Sequence, residues 1–149
     1  MPDFDQHLTR RSFIATSCAL TAGWVSGCAT TTAYRLPTQN GHITINLADH
    51  PELTTQGGII VVRSESLEDG LIVIHQAPNT FTALSSACTH LQCTVRPAKH
   101  ALICPCHGST FDLSGHVVRG PAEKPLKTYP VQFVNNTVQI QVSDKGALP

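Results

Sequence analysis

Between Cys88 and His107 the chain carries four cysteines and two histidines, gathered in two short stretches, "CTHLQC" and "CPCHGS". Cys88 and His90 form a CxH pair, and Cys104 and His107 form a CxxH pair. Each stretch therefore offers one thiolate and one imidazole and keeps one cysteine in reserve. Thiolates favour zinc and iron–sulfur centres, whereas imidazole serves zinc, copper, iron and nickel, so donor type alone leaves several metals open. The reserve cysteines, Cys93 and Cys106, would cross-link the two stretches if these already face each other. A ring of that size stabilises a fold by ~3 kcal/mol in the chain-entropy estimate.

Something must hold the two stretches in place. From about Ser86 to Pro125 the chain is rich in Cys, His, Gly and Pro, which make loops, and such loops need more than a hydrophobic core to hold them. A bound metal supplies it. On either side lie strand candidates. "HITINL" alternates apolar and polar residues, "GIIVVRS" and "LIVIHQ" flank the turn-rich "ESLEDG", and "FTALSSA" runs directly into Cys88. Towards the C-terminus "TYPVQFV" and "TVQIQVS" alternate around Asn135 and Asn136, residues that tolerate the positive φ of a tight hairpin turn. Few aromatics, abundant Val, Ile and Thr, and frequent Gly and Pro agree with an all-β class.

A chain of 149 residues fits one compact domain with an appendage. Lys and Arg number 10, as do Asp and Glu, with no block of like charge, so the chain has no electrostatic footprint for a nucleic-acid partner. The appendage is N-terminal. Residues 1–27 contain Arg10 and Arg11, an apolar stretch from Phe13 to Val25 and then small residues, the layout of an export signal. The apolar stretch is shorter than the ~20 residues that comfortably span a bilayer, which favours cleavage over a permanent anchor. "TRRSFI" is similar to the twin-arginine motif for export of folded proteins, and "VSGC", ending at Cys28, is similar to a bacterial lipobox in which the cysteine is lipidated. Residues 28–40 read as a linker and 41–149 as the domain, with its loop-rich subdomain at about 86–125.

The two stretches together resemble the cluster-binding boxes of Rieske [2Fe–2S] proteins, of the disulfide-containing type found in cytochrome bc and b6f complexes. The resemblance runs from about Phe81 to Val142 and includes "GHVVRGPAEKPLKTYPV", where Gly120, Pro121 and Ala122 fall at the family's proline loop. It implies an antiparallel β sandwich bearing a small cluster-binding subdomain, and one [2Fe–2S] cluster per chain. Cys88 and Cys104 would hold one iron and His90 and His107 the other, with Cys93 and Cys106 disulfide-bonded. Ser109 matches the serine that donates a hydrogen bond to a bridging sulfide. Two departures stand out. Phe111 occupies the place of a tyrosine that, in the highest-potential members, donates to a ligand sulfur, and Gln92 replaces a glycine at the loop tip that enters the quinol site.

Neutral imidazole in place of thiolate removes negative charge from a cluster and raises its potential. If the second nitrogen of each imidazole meets solvent, electron uptake favours proton uptake, which suits exchange with a quinol. Structural zinc is the main competing use of such a set, but the order and spacing of both boxes and the "HGS" context weigh against it. Two plain disulfides would leave the placement of His90 and His107 unexplained. The other histidines, His42, His50, His75, His100 and His116, lack paired spacing and are expected on the surface, and Asp112 is expected in the turn after the second box.

Rieske oxygenases lack the reserve cysteine pair and add a second iron domain. The expected function is accordingly one-electron transfer as the iron–sulfur subunit, or a close relative, of a quinol:cytochrome c oxidoreductase. Its partners would be cytochromes of b and c type, and quinol. The alternative is a stand-alone periplasmic carrier, or the small subunit of a periplasmic oxidoreductase of the arsenite oxidase type with a catalytic subunit as partner. Either would sit on the periplasmic side of a bacterial membrane, held by an N-terminal anchor or lipid.

Overall fold

The computed structural model describes residues 31–142. Thirteen strands and one 3₁₀ turn make up its regular structure: β1 Ala33–Arg35, β2 Thr38–Gln39, β3 His42–Asn46, the 3₁₀ turn Pro51–Thr54, β4 Ile59–Arg63, β5 Leu71–Ala77, β6 Thr80–Ser85, β7 Arg96–Pro97, β8 Leu102–Ile103, β9 Thr110–Phe111, β10 Val117–Arg119, β11 Thr128–Tyr129, β12 Val131–Val134 and β13 Thr137–Gln141. They form three sheets, ordered β1-β4-β5-β6-β11, β12-β13-β3-β2 and β10-β9-β8-β7.

The first two sheets make the base. Alternation in β3 and β13 turns Ile43, Ile45, Val138 and Ile140 inward, where they pack with Ile60, Val62, Leu71, Val73 and Ala83 of the first sheet. The run Leu71–Ile74 is buried on both faces, which explains why it reads as continuous apolar sequence. Leu71 and Val73 belong to the base core, while Ile72 and Ile74 face a second core with Leu84, Val95, Leu102, Phe111 and Leu126. The central strand thus supports the loop-rich part directly. Gln76 adds a polar tie, its Nε2 donating to the Leu113 carbonyl at 2.6 Å.

The expected strands form where the periodicity placed them, and Asn135 (φ 50°) and Asn136 (φ 61°) make the hairpin turn between β12 and β13. Two expectations need correction. Residues 28–40 read as linker because no apolar period is visible, yet β1 pairs in parallel with β4, with Tyr34 opposite Val62, and β2 pairs with β3. Backbone pairing and one anchor suffice there, since the Tyr34 hydroxyl donates to Glu52 Oε1 at 2.9 Å. The histidines differ too. His50 retains only 6% exposure, with its ring edge-on to Tyr34 at 4.3 Å, and His75 is half-buried, stacked on Phe81 at 4.5 Å. An aromatic neighbour, not paired spacing, decides their burial. Arg10, Arg11 and Cys28 lie outside the described residues.

Candidate metal centre

The third sheet carries two six-residue loops built on one plan. In the first, the Cys88 N–H donates to the Cys93 carbonyl at 2.9 Å and the Gln92 N–H to the Cys88 carbonyl at 2.8 Å. In the second, the Cys104 N–H donates to the Ser109 carbonyl at 2.8 Å and the Gly108 N–H to the Cys104 carbonyl at 2.9 Å. Each loop closes by turning left-handed at its fifth residue, Gln92 (φ 58°) or Gly108 (φ 77°). The first residue of each is a buried, free cysteine within the second core. Equivalent loops thus present a thiol at their base and a histidine nearer their tip.

The histidines meet. The rings of His90 and His107 stand at 88° with centroids 4.8 Å apart. Nδ1 of His90 is buried without a hydrogen-bond partner, a costly state that a metal bond would relieve. Cys93 and Cys106 form a disulfide with a Cα separation of 6.4 Å. The sulfurs of Cys93, Cys104 and Cys106 all lie within 4.8 Å of one another. Because two of them are bonded together, this trio is the strap resting beside Cys104 and not a separate ion site.

Residues 119–124 cross both loops. Thr89 Oγ1 donates to the Lys124 carbonyl at 2.6 Å, Arg119 Nη2 donates to the Gly108 carbonyl at 3.2 Å, and the Ala122 N–H donates to Ser109 Oγ at 3.0 Å. The Ser109 hydroxyl is wholly buried and acts as acceptor to Ala122, so its own proton is free for a further acceptor. The amino-acid sequence points to Gly120, Pro121 and Ala122 but not to Thr89, Lys124 or Arg119. A carbonyl acceptor such as that of Lys124 leaves no trace in residue type.

Phe111 is fully buried in the floor. Asp112 takes the expected turn role, its Oδ1 accepting the N–H groups of Ser114 (2.8 Å) and His116 (2.9 Å). Burial works against its ionisation, but those bonds and the His116 ring outweigh it and hold the carboxyl below its ordinary value. At the rim Leu91 is 62% exposed, and Gln92, Pro105, His107 and Pro121 are exposed. The donor set comprises two buried thiols, an orphaned imidazole nitrogen beside a second imidazole, and a spare hydroxyl proton. It fits an iron–sulfur cluster with mixed sulfur and nitrogen ligation.

Comparison with known proteins agrees. The family model for the Rieske [2Fe-2S] domain matches residues 45–130, more than half of the chain. The chain belongs to this family. Its cofactor is accordingly a [2Fe–2S] cluster, which the family holds with cysteine and histidine. It is 37% identical over 75 residues to the cytochrome b6-f complex iron-sulfur subunit of Chlorobaculum thiosulfatiphilum, covering 49% of this chain and 41% of that one. To the cytochrome b6-f complex iron-sulfur subunit 2 of Nostoc sp. it is 47% identical over 55 residues, covering 36% of this chain and 31% of that one. This Rieske chain thus matches less than half the length of these homologues. Among solved structures, the ferredoxin of carbazole 1,9a-dioxygenase from Nocardioides aromaticivorans shares the fold at a TM-score of 0.50 and 19% identity, over 67% of this chain and 95% of that one. Naphthalene 1,2-dioxygenase shares it at a TM-score of 0.55 and 20% identity, over 72% of this chain and 27% of that one.

Proposed function

We propose that Cys88 and Cys104 bind one iron of the cluster and His90 and His107 the other, and that the protein serves as the iron–sulfur subunit of a quinol-oxidising complex. When bound, the cluster supplies one-electron chemistry at a potential raised by its two neutral ligands. The observation that carries the ligand assignment is the buried, unpartnered Nδ1 of His90 beside the ring of His107. If Nδ1 of His90 holds iron, its Nε2 would be the atom left to exchange a proton with a quinol hydroxyl. Ser109 would offer its free proton to the cluster when it is bound, and the Thr89, Arg119 and Ala122 contacts fix both loops so that the two rings keep their places. Leu91 gives the tip an apolar contact for a partner's quinol pocket.

The similarity to b6-f iron-sulfur subunits, together with the Cys93–Cys106 strap, favours this reading over a stand-alone carrier or the small subunit of an arsenite-oxidase-type enzyme. Cytochromes of b and c type are then the electron-transfer partners. Arg10 and Arg11 would direct export of the folded, loaded protein to the periplasmic side of a bacterial membrane, with Cys28 as the point of lipid attachment. No helix among the described residues is long and apolar enough to cross a membrane.

Two measurements test the proposal. Nitrogen hyperfine couplings of the reduced protein should report two imidazoles, one of which disappears in His90→Ser, whereas a native spectrum without nitrogen coupling would overturn the ligand assignment. Mild-detergent purification from native membranes should recover a b-type haem with the full chain, whereas recovery of a molybdenum subunit instead would overturn the quinol-linked role.

A further inference from the structure

Tyr34, Ile60 and Val62 face the base core, which leaves Arg35, Val61 and Arg63 on the opposite face of β1 and β4, with Arg35 registered directly on Arg63. Across from them Thr94–Pro97 close a groove of about 380 Å³ whose lining includes Arg63, Arg96, Val61 and Val95 and contains no carboxylate. Arg35, Arg63 and Arg96 are exposed, and among the described residues none of them has a carboxylate within ion-pair distance. Like charges opposed on neighbouring strands repel each other. The chain's formal charges cancel as a whole, and Glu65, Glu68 and Asp69 lie with Arg35 and Arg63 around a neighbouring pocket, but the groove itself carries two arginines and no carboxylate, a setting suited to an anion. The apolar walls beside the guanidinium groups suit an anion with an apolar continuation better than a free hydrated ion.

Thr31 also lines the groove, and three peptide units separate it from Cys28, ~11 Å at full extension. We propose that this groove binds the anionic headgroup of a bilayer phospholipid and so seats the domain against the membrane surface. The inference rests on the reading of the N-terminus as a membrane attachment, which brings the groove to headgroup depth. Guanidinium is the side chain matched to phosphate geometry, through paired parallel N–H donors.

The test uses the full, cluster-loaded chain carrying Cys28→Ser, so that no lipid masks the groove. Its partition is compared between vesicles of phosphatidylcholine alone and vesicles with one third phosphatidylglycerol. A basic side chain near an anionic surface is worth roughly fivefold in partition, so Arg63→Gln with Arg96→Gln should cut the anionic-to-neutral ratio by about 25-fold. The charge-matched control Lys99→Gln with Lys127→Gln should leave that ratio near wild type, since Arg10 and Arg11 are common to all variants. Retained visible absorption of the cluster confirms that each variant is folded. Equal ratios in wild type and the arginine variant, or an equal loss in the lysine control, would overturn the proposal. So would stabilisation by inorganic phosphate alone, lost in the arginine variant, if the vesicles fail to discriminate, because the site would then take a free anion. The mass of the native mature chain tests the attachment reading separately: a chain that has lost residues 1–27 and carries no lipid on Cys28 would remove it without altering the vesicle ratio.

Discussion

Phe111 fills the floor beneath the second loop with a ring that carries no donor, where a tyrosine would have one to offer a ligand sulfur. A donor to sulfur stabilises the more negative, reduced state, so Phe111→Tyr should raise the midpoint potential by on the order of 100 mV, from the usual strength of a bond to a charged group and the one-electron conversion. Redox titration of the variant checks it; an unchanged or lowered potential would contradict the role given to Phe111. Gly108 is a second residue with a definite task. Its φ of +77° is left-handed, and an added Cβ would meet Arg119 Nη2 at 3.2 Å. Gly108→Ala should therefore cost about 1–2 kcal/mol, seen in urea unfolding, because left-handed backbone penalises any side chain. Gln92 already bears such a cost at the equivalent place in the first loop, and its departure from glycine was visible in sequence although its backbone angle was not.

At the scale of elements, the two loops are held by a disulfide, by residues 119–124 and by the turn at Asp112. Replacing both Cys93 and Cys106 by Ser should lower stability by ~3 kcal/mol, since an open chain regains the entropy that the cross-link removes. Thermal or denaturant unfolding under oxidising and reducing conditions measures this, with reduction reproducing the variant. Asp112 gives the turn an acid dependence of known sign. Its folded carboxyl titrates below the unfolded value, so the stability it contributes is full above the ordinary aspartate range of ~3.9 and is lost as pH falls through the lower folded value. Asp112→Asn should flatten the melting temperature across that acid range relative to wild type.

These elements were unequally legible. The base strands and the Asn135–Asn136 hairpin follow from period-two alternation, and the buried run Leu71–Ile74 from unbroken apolarity. β1 and β2 did not show, because a three-residue edge strand that owes its place to backbone pairing and to the Tyr34–Glu52 bond carries no apolar period. Within the site, cysteine and histidine spacing located both loops. The contacts that aim them, Thr89 to Lys124 and Arg119 to Gly108, end on carbonyls, which every residue possesses.

For the molecule as a whole, two cores on opposite faces of one sheet separate two tasks. The base core stabilises the sandwich, and the second core, which includes Cys88 and Cys104, fixes the depth of the thiols beneath the rim that bears His107 and Leu91. A rigid floor with an exposed imidazole rim suits a centre that exchanges an electron and a proton together at a contact surface. The most direct test is the midpoint potential of the cluster-loaded full chain as a function of pH. A positive potential that falls as pH rises above neutrality is expected, because each electron taken up then brings a proton to an imidazole nitrogen. A negative potential, constant across the same range, would contradict both the exposed two-histidine ligation and the quinol-linked role.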